Sequence, residues 1–140
     1  MAENSSCASG GEAARQMQDK LISSTLAKIR YKLFVMSGKG GVGKSAVAVN
    51  IAAALAKSGY RVGIMDVDIH GPSVPRLLGL SGGLDVEKGS LIKTKQYNEN
   101  LSAVSMDSLL KDPDQAVLWR GPLKTSAIRQ FISDVTWGDL

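Results

Sequence analysis

Cysteine is nearly absent from these 140 residues: Cys7 stands alone, so no disulfide can form within the chain. Aromatic residues make up only 5%, too few for the stacking platforms that hold single-stranded nucleic acid. No apolar run reaches the length of a bilayer span. The longest nearly apolar stretch, "AVAVNIAAALA" at 46–56, is short and contains Asn50. The opening "MAENSSCASGGEAARQ" lacks the apolar core of a secretory leader. Charge of one sign is in only modest excess: 17 Lys and Arg against 13 Asp and Glu leave a net +4, spread along the chain as on a solvated surface. These absences lead to the expectation of a cytoplasmic protein with no membrane and no nucleic-acid partner. What is present, 44% hydrophobic residues in 140, suffices for one domain with its own core.

Residues 1–12 are rich in Ser and Gly and read as a flexible tail. Over 13–30, Met17, Leu21, Ile22, Leu26 and Ile29 recur at near-helical spacing and predict an amphipathic helix packed on a domain that fills 31–140. "YKLFVMS" (31–37) predicts a buried strand that ends at a glycine cluster. Residues 44–58 predict an Ala-rich helix with Gly59 closing it, and "YRVGIMD" (60–66) a second buried strand. Strand, glycine loop, helix, strand is one βαβ crossover, which implies a parallel sheet and an α/β fold. Beyond it, 68–83 reads as a Gly/Pro-punctuated loop. "SLIKTKQY" (90–97) and "LSAVSM" (101–106) read as strands joined by "NEN", and "AVLW" (116–119) as a further apolar run. Pro122 suits the first turn of a helix with Ile128, Phe131, Ile132 and Val135 on one face.

The glycine cluster is "GKGGVGKS" (38–45). Gly38, Gly43, Lys44 and Ser45 satisfy G-x-x-x-x-G-K-[ST], after a predicted strand and at the head of a predicted helix. Glycines let backbone N–H groups converge on phosphate oxygens, and the helix N-terminus adds partial positive charge. Lys44 suits the β- and γ-phosphates of ATP, and the Ser45 hydroxyl suits Mg²⁺. Gly38, Gly40 and Gly43 also satisfy G-x-G-x-x-G, with Asp66 ending the next strand, which is the dinucleotide fingerprint. Lys44 and Ser45 discriminate: a triphosphate–Mg²⁺ site needs both, and a dinucleotide fold needs neither.

Lys39 is one lysine more than a phosphate loop requires. "KGGVGKS" (39–45) resembles the deviant Walker A motif of the MinD/ParA class of P-loop ATPases. That resemblance implies a homodimer in which Lys39 reaches the partner's nucleotide, much as an arginine finger does. The alternative is a solvated lysine at a loop tip. "MDVDIHGPSVPRLLGL" (65–80) and "AVLWRGPLKTSAIRQFISDVTWG" (116–138) are similar to segments of the Mrp/ApbC family of iron–sulfur cluster carrier ATPases, so the likeness covers about residues 30–140. It implies an α/β P-loop NTPase with a mostly parallel sheet and flanking helices, incomplete in these 140 residues. The nucleotide loop would be Gly38, Lys39, Gly40, Gly41, Val42, Gly43, Lys44, Ser45 and Ala46, with Lys39, Lys44 and Asp68 as catalytic residues. Asp68 matches the acid that orients the attacking water. Asp66 would join Ser45 in holding Mg²⁺, through a water molecule. Either acid can instead cap the "DIHG" turn. His70 reads as a turn residue.

Two departures accompany the resemblance. Ala46 stands where the family commonly has a hydroxyl residue on the α-phosphate, a loss of about 0.5–1.5 kcal/mol of binding. The chain also ends at "WGDL", where the family begins the strand with its Walker B acid, so "VGIMD" is not taken for that strand. The later Cys-x-x-Cys that bridges a [4Fe–4S] cluster between two subunits is likewise beyond it. A fragment or truncated product is therefore expected, from an ATPase that carries [4Fe–4S] clusters to iron–sulfur apoproteins. The alternatives are a positioning ATPase of the MinD/ParA type, or a module that binds nucleotide without turning it over.

Overall fold

The computed structural model describes residues 6–68, 71–83, 86–87, 91–105 and 123–140. Its elements, in chain order, are α1 (Ser6–Lys28), α2 (Lys44–Lys57), β1 (Val62–Asp66), α3 (Val74–Leu77), β2 (Val86–Glu87), β3 (Leu91–Lys93), β4 (Lys95–Asn98), β5 (Leu101–Ser105), α4 (Leu123–Asp134) and β6 (Val135–Thr136). His70, the "AVLW" run and residues 120–122 lie outside the described residues.

Helix α2 is built from strong helix formers and buries one stripe, Val49, Ala52 and Ala56. It stops where Gly59 takes a φ of +88° and the Ser58 and Gly59 N–H groups turn back to the last carbonyls. Asn100 closes the same end by donating to the Ala56 carbonyl at 3.2 Å. The short turn sends β1 back beneath the helix, so α2 and β1 run antiparallel. The N-terminus of α2 therefore lies at the carboxyl end of β1.

β1 pairs in parallel with β5, from Val62 opposite Leu101 to Asp66 opposite Ser105, and β4 adds antiparallel on the far side of β5. A second sheet has the order β2-β3-β6, with β3 parallel to β6. The single strand expected over 90–97 is thus divided at Thr94, β3 entering one sheet and β4 the other. β5 is buried along its whole length because both faces are covered. Leu101 and Ala103 join α2, Ile64 of β1, and Val74 and Leu78 of the α3 region in one core. Val104 faces the other way, into a core with Ile92, Ala127, Phe131 and Val135. Helices on both faces of a sheet give the expected α/β layering.

Several expectations need correction. The N-terminal helix begins at Ser6 rather than Ala13, and so takes in residues assigned to a flexible tail. Its half-buried stripe is Gln18, Ile22, Thr25, Leu26 and Ile29, whereas Met17 and Leu21 are exposed. A polar contact turns the helix this way: Arg129 of α4 donates to Gln18 at 3.1 Å and pairs with Asp19. The 68–83 loop contains the single turn α3.

The largest difference is at 31–37, where no strand forms and Phe34 is 88% exposed. A strand needs a neighbour to take up its N–H and C=O groups. The described strands pair within two three-stranded sheets, and neither includes 31–37. The chain entering this segment is tied instead to 137–140, through the Arg30 N–H and the Leu140 carbonyl (3.2 Å). That terminal segment lies on β1 at Gly63, where an added Cβ would come within 2.7 Å of the Trp137 ring.

The apolar run at 31–36 is therefore open to solvent and has strong strand propensity, a combination that promotes association. We expect light scattering from the 140-residue chain to rise with concentration. Phe34→Lys should lower it several-fold without loss of far-UV circular dichroism. Monodisperse wild-type protein at high concentration would show that this run is covered.

Candidate functional site

Gly43 caps the N-terminus of α2 with φ +90° and ψ +21°, a left-handed conformation open to glycine at little cost. Gly41 has φ +74°. The Ser37 hydroxyl donates to the Lys39 carbonyl at 2.7 Å and ties the loop's first turn. No side chain caps the helix. The first intrahelical bond runs from the Val47 N–H to the Gly43 carbonyl, which leaves the N–H groups of Lys44, Ser45 and Ala46 without a helical acceptor. With the helix dipole behind them, these donors are suited to an anion at the head of a 14-residue helix.

Gly38 and Gly40 add a second clue. Neither has positive φ, and a Cβ on either would meet nothing within 4 Å. Neither backbone conformation nor packing within the chain requires glycine there. A ligand lying close to the main chain would require it. Residues 38–43 are all exposed, and Lys44 and Ser45 are half-buried. Val42, in the same loop, and Ala46, in the first turn of α2, are exposed.

At the same edge of the sheet, β1 ends in Asp66, a carboxylate only 6% exposed. Its Oδ1 accepts from the Asp68 N–H at 3.1 Å, and its Oδ2 from the Ser73 and Val74 N–H groups, both at 3.1 Å. Asp68 is exposed, and its Oδ1 accepts from the Gly71 N–H at 3.3 Å. Both acids thus bond to the backbone of the turn, the simpler of the two roles expected for them. Lys39 is exposed at the loop tip, and within this chain its main chain, not its side chain, makes the described contact.

The fold brings the 38–46 loop and the two acids to one edge of the sheet. It adds Ser105, buried and opposite Asp66 in the parallel register, which sequence reasoning missed. An isolated "LSAVS" strand carries no signal for that; only the register does. Among the described residues no cluster of three or more His, Cys, Asp or Glu could hold a metal ion by itself. Among them, too, no helix is long and apolar enough to cross a membrane.

Residues 28–140 match the family model described as ParA, NUBPL iron-transfer P-loop NTPase. The chain is 42% identical over 137 residues to an iron-sulfur cluster carrier protein of Methanococcus maripaludis, covering 98% of this chain and 47% of that protein. It is 46% identical over 117 residues to the human cytosolic Fe-S cluster assembly factor NUBP2, covering 82% of this chain and 43% of that one. A solved nucleotide-binding protein of Archaeoglobus fulgidus, in complex with ADP, superposes with a TM-score of 0.73 at 37% identity, over 87% of this chain and 46% of the other. The chain thus spans under half the length of these relatives.

The two kinds of glycine separate in experiment. Gly43→Ala should cost about 1–2 kcal/mol, because alanine is strained at this φ, and should lower the melting temperature. Gly40→Ala should leave stability within about 0.5 kcal/mol yet weaken triphosphate binding. Equal stability losses in the two variants would contradict this division.

Proposed function

Because the chain belongs to the NUBPL iron-transfer P-loop NTPases of the ParA family, we propose that residues 38–46 bind ATP with Mg²⁺ for an ATPase that carries [4Fe–4S] clusters to apoproteins. The observation that supports this most directly is the uncapped α2 N-terminus behind a loop whose glycines leave the space above the main chain open.

On this reading the amides of Gly41 to Ala46 hold the phosphates and the Lys44 ammonium neutralises the β- and γ-oxygens. The Ser45 hydroxyl would hold Mg²⁺, which would supply positive charge against the phosphates. Asp68, exposed at the sheet edge, orients the attacking water. Lys39 acts across a homodimer on the partner's nucleotide, where its charge meets the charge that develops in the transition state. Its exposed position at the loop tip is compatible with that reach.

The cluster is cargo, and its ligands are not among these residues. A [4Fe–4S] cluster takes four thiolates as a rule, and two copies of this chain bring two, both Cys7. The relatives' names, a cluster carrier and a cytosolic assembly factor, support the carrier role and a cytosolic place of action over a positioning ATPase.

Lys44→Ala should weaken ATP–Mg²⁺ binding by about 10- to 100-fold, the loss of a main charge-assisted contact, as read by titration calorimetry. NADH binding that survives the change would favour the dinucleotide fingerprint instead. The 140 residues alone should show negligible steady ATP turnover and no stable cluster after anaerobic reconstitution. In an ATPase that carries this segment at the relatives' full length, Lys39→Ala should keep ATP affinity within a few-fold and lower hydrolysis by about 10³-fold or more. A normal rate in that variant would remove the cross-dimer role.

A further inference from the structure

We propose that Asp66 is a positioning residue: its carboxylate clamps the backbone at Asp68, Ser73 and Val74 to the end of β1 and so sets the place of Asp68. This rests on the reading of the 38–46 loop as the ATP site, and it replaces the expectation that Asp66 holds Mg²⁺ through water.

The geometry is that of a clamp. Three N–H donors converge on one carboxylate from positions two, seven and eight residues downstream. The chain leaves β1 at Asp66 and meets it again at Ser73 and Val74, the start of α3. Asp66 Oδ1 fixes the departure at Asp68 and Oδ2 fixes the return at Ser73 and Val74. Ser73 stands at the N-cap of α3 but makes no side-chain cap bond, so Asp66 supplies the acceptor from outside the helix. Val74 is then carried into the first core, where it is 3% exposed. One side chain therefore couples the strand end, the exposed acid and the core.

Burial supports the same assignment. A carboxylate at 6% exposure is tolerated because charge-assisted bonds take up its oxygens. A ligand to a hydrated cation needs an oxygen that faces water. Asp66 uses both oxygens inward, whereas Asp68 is exposed. Asp68 answers the clamp from the other side by accepting from Gly71 at 3.3 Å, so the two acids hold the same turn at different points.

The test uses the 140-residue chain without metal or nucleotide, then with Mn²⁺ and ATP. Amide exchange at Asp68, Ser73 and Val74 is followed by NMR in wild type, Asp66→Asn and Asp66→Ala. The clamp predicts that Asp66→Ala speeds all three amides about tenfold or more in the metal-free protein. Asp66→Asn keeps one acceptor oxygen, so it should release either Asp68 or the Ser73–Val74 pair and spare the other. Burial alone would not give that split. Leu101 and Val104 amides in β5 should stay protected; if Asp66→Ala unfolds, the Asn variant carries the result. Mn²⁺ affinity in the presence of ATP, read by electron paramagnetic resonance, should change by less than about threefold in Asp66→Asn. Unchanged exchange at all three amides, or a tenfold loss of Mn²⁺ affinity with the amides undisturbed, would overturn the clamp. Wild-type protein that shows the exchange pattern but binds no Mn²⁺–ATP would sink the ATP reading and leave the clamp standing.

Discussion

Ala52 and Ala56 let α2 lie close on β1, and the placement of the site depends on that contact. Small side chains at these two positions bring the helix against Ile64, Leu101 and Ala103. The helix runs antiparallel to the strand it leads into, so its uncapped N-terminus can lie only at the strand's carboxyl end. That end carries Asp66, and Asp68 follows two residues later. A larger side chain at Ala56, 3% exposed, would lift the helix and separate the loop from the acids without touching either. The place of the loop is thus set partly by two residues with no functional groups.

The glycine loop, the helix after it and the strand that follows were legible because local chemistry dictates them, whereas the first strand of the expected βαβ crossover does not form. Gly59 needs positive φ, Ala-rich sequence favours helix, and Lys44-Ser45 has few uses apart from phosphate and metal. The P-loop NTPase class followed from these few residues. Features that depend on neighbours were not legible. Nothing in "YKLFVMS" states whether a strand lies beside it, so its apolar pattern predicted a burial that the structure does not supply. On α1, Ile22, Leu26 and Ile29 fall on the expected stripe, but Met17 and Leu21 give way to Gln18 and Thr25, because Arg129, over a hundred positions away in sequence, bonds to Gln18 and Asp19. The break at Thr94 escaped notice for a similar reason: "SLIKTKQY" has strand propensity throughout, and only tertiary pairing divides it between two sheets.

The two acids show the same limit within the site. Their position at a strand end was legible, and both a metal role and a turn role were open. Which atoms Asp66 would meet depended on where residues 73 and 74 returned, a matter of folding rather than spacing. The short helix α3 had been read as loop, and with it went the donors that occupy Oδ2. A buried acid held by three main-chain donors and an exposed one can therefore sit two residues apart in "DVD" with identical side chains. Exposure separates them: Asp66 is buried and turned to the main chain, and Asp68 is exposed.

The proposed ligand site lies where the fold has least support of its own. The 38–43 loop is exposed and joins an unpaired apolar segment to the head of α2. Its N–H groups, and those of the first helical turn, gain acceptors only from something outside the described chain. Binding a triphosphate there would supply those acceptors and hold the loop to the helix. A ligand at 100 times its dissociation constant adds about 2.7 kcal/mol to the folded state. For a domain whose total stability is on the order of 5–15 kcal/mol at best, that is a substantial share. Nucleotide occupancy and order in the 31–46 region are then two readings of one equilibrium. The affinity for such a ligand would include the free energy of ordering the loop, so a change that pre-orders the loop in its bound shape should tighten binding without adding a contact to the ligand.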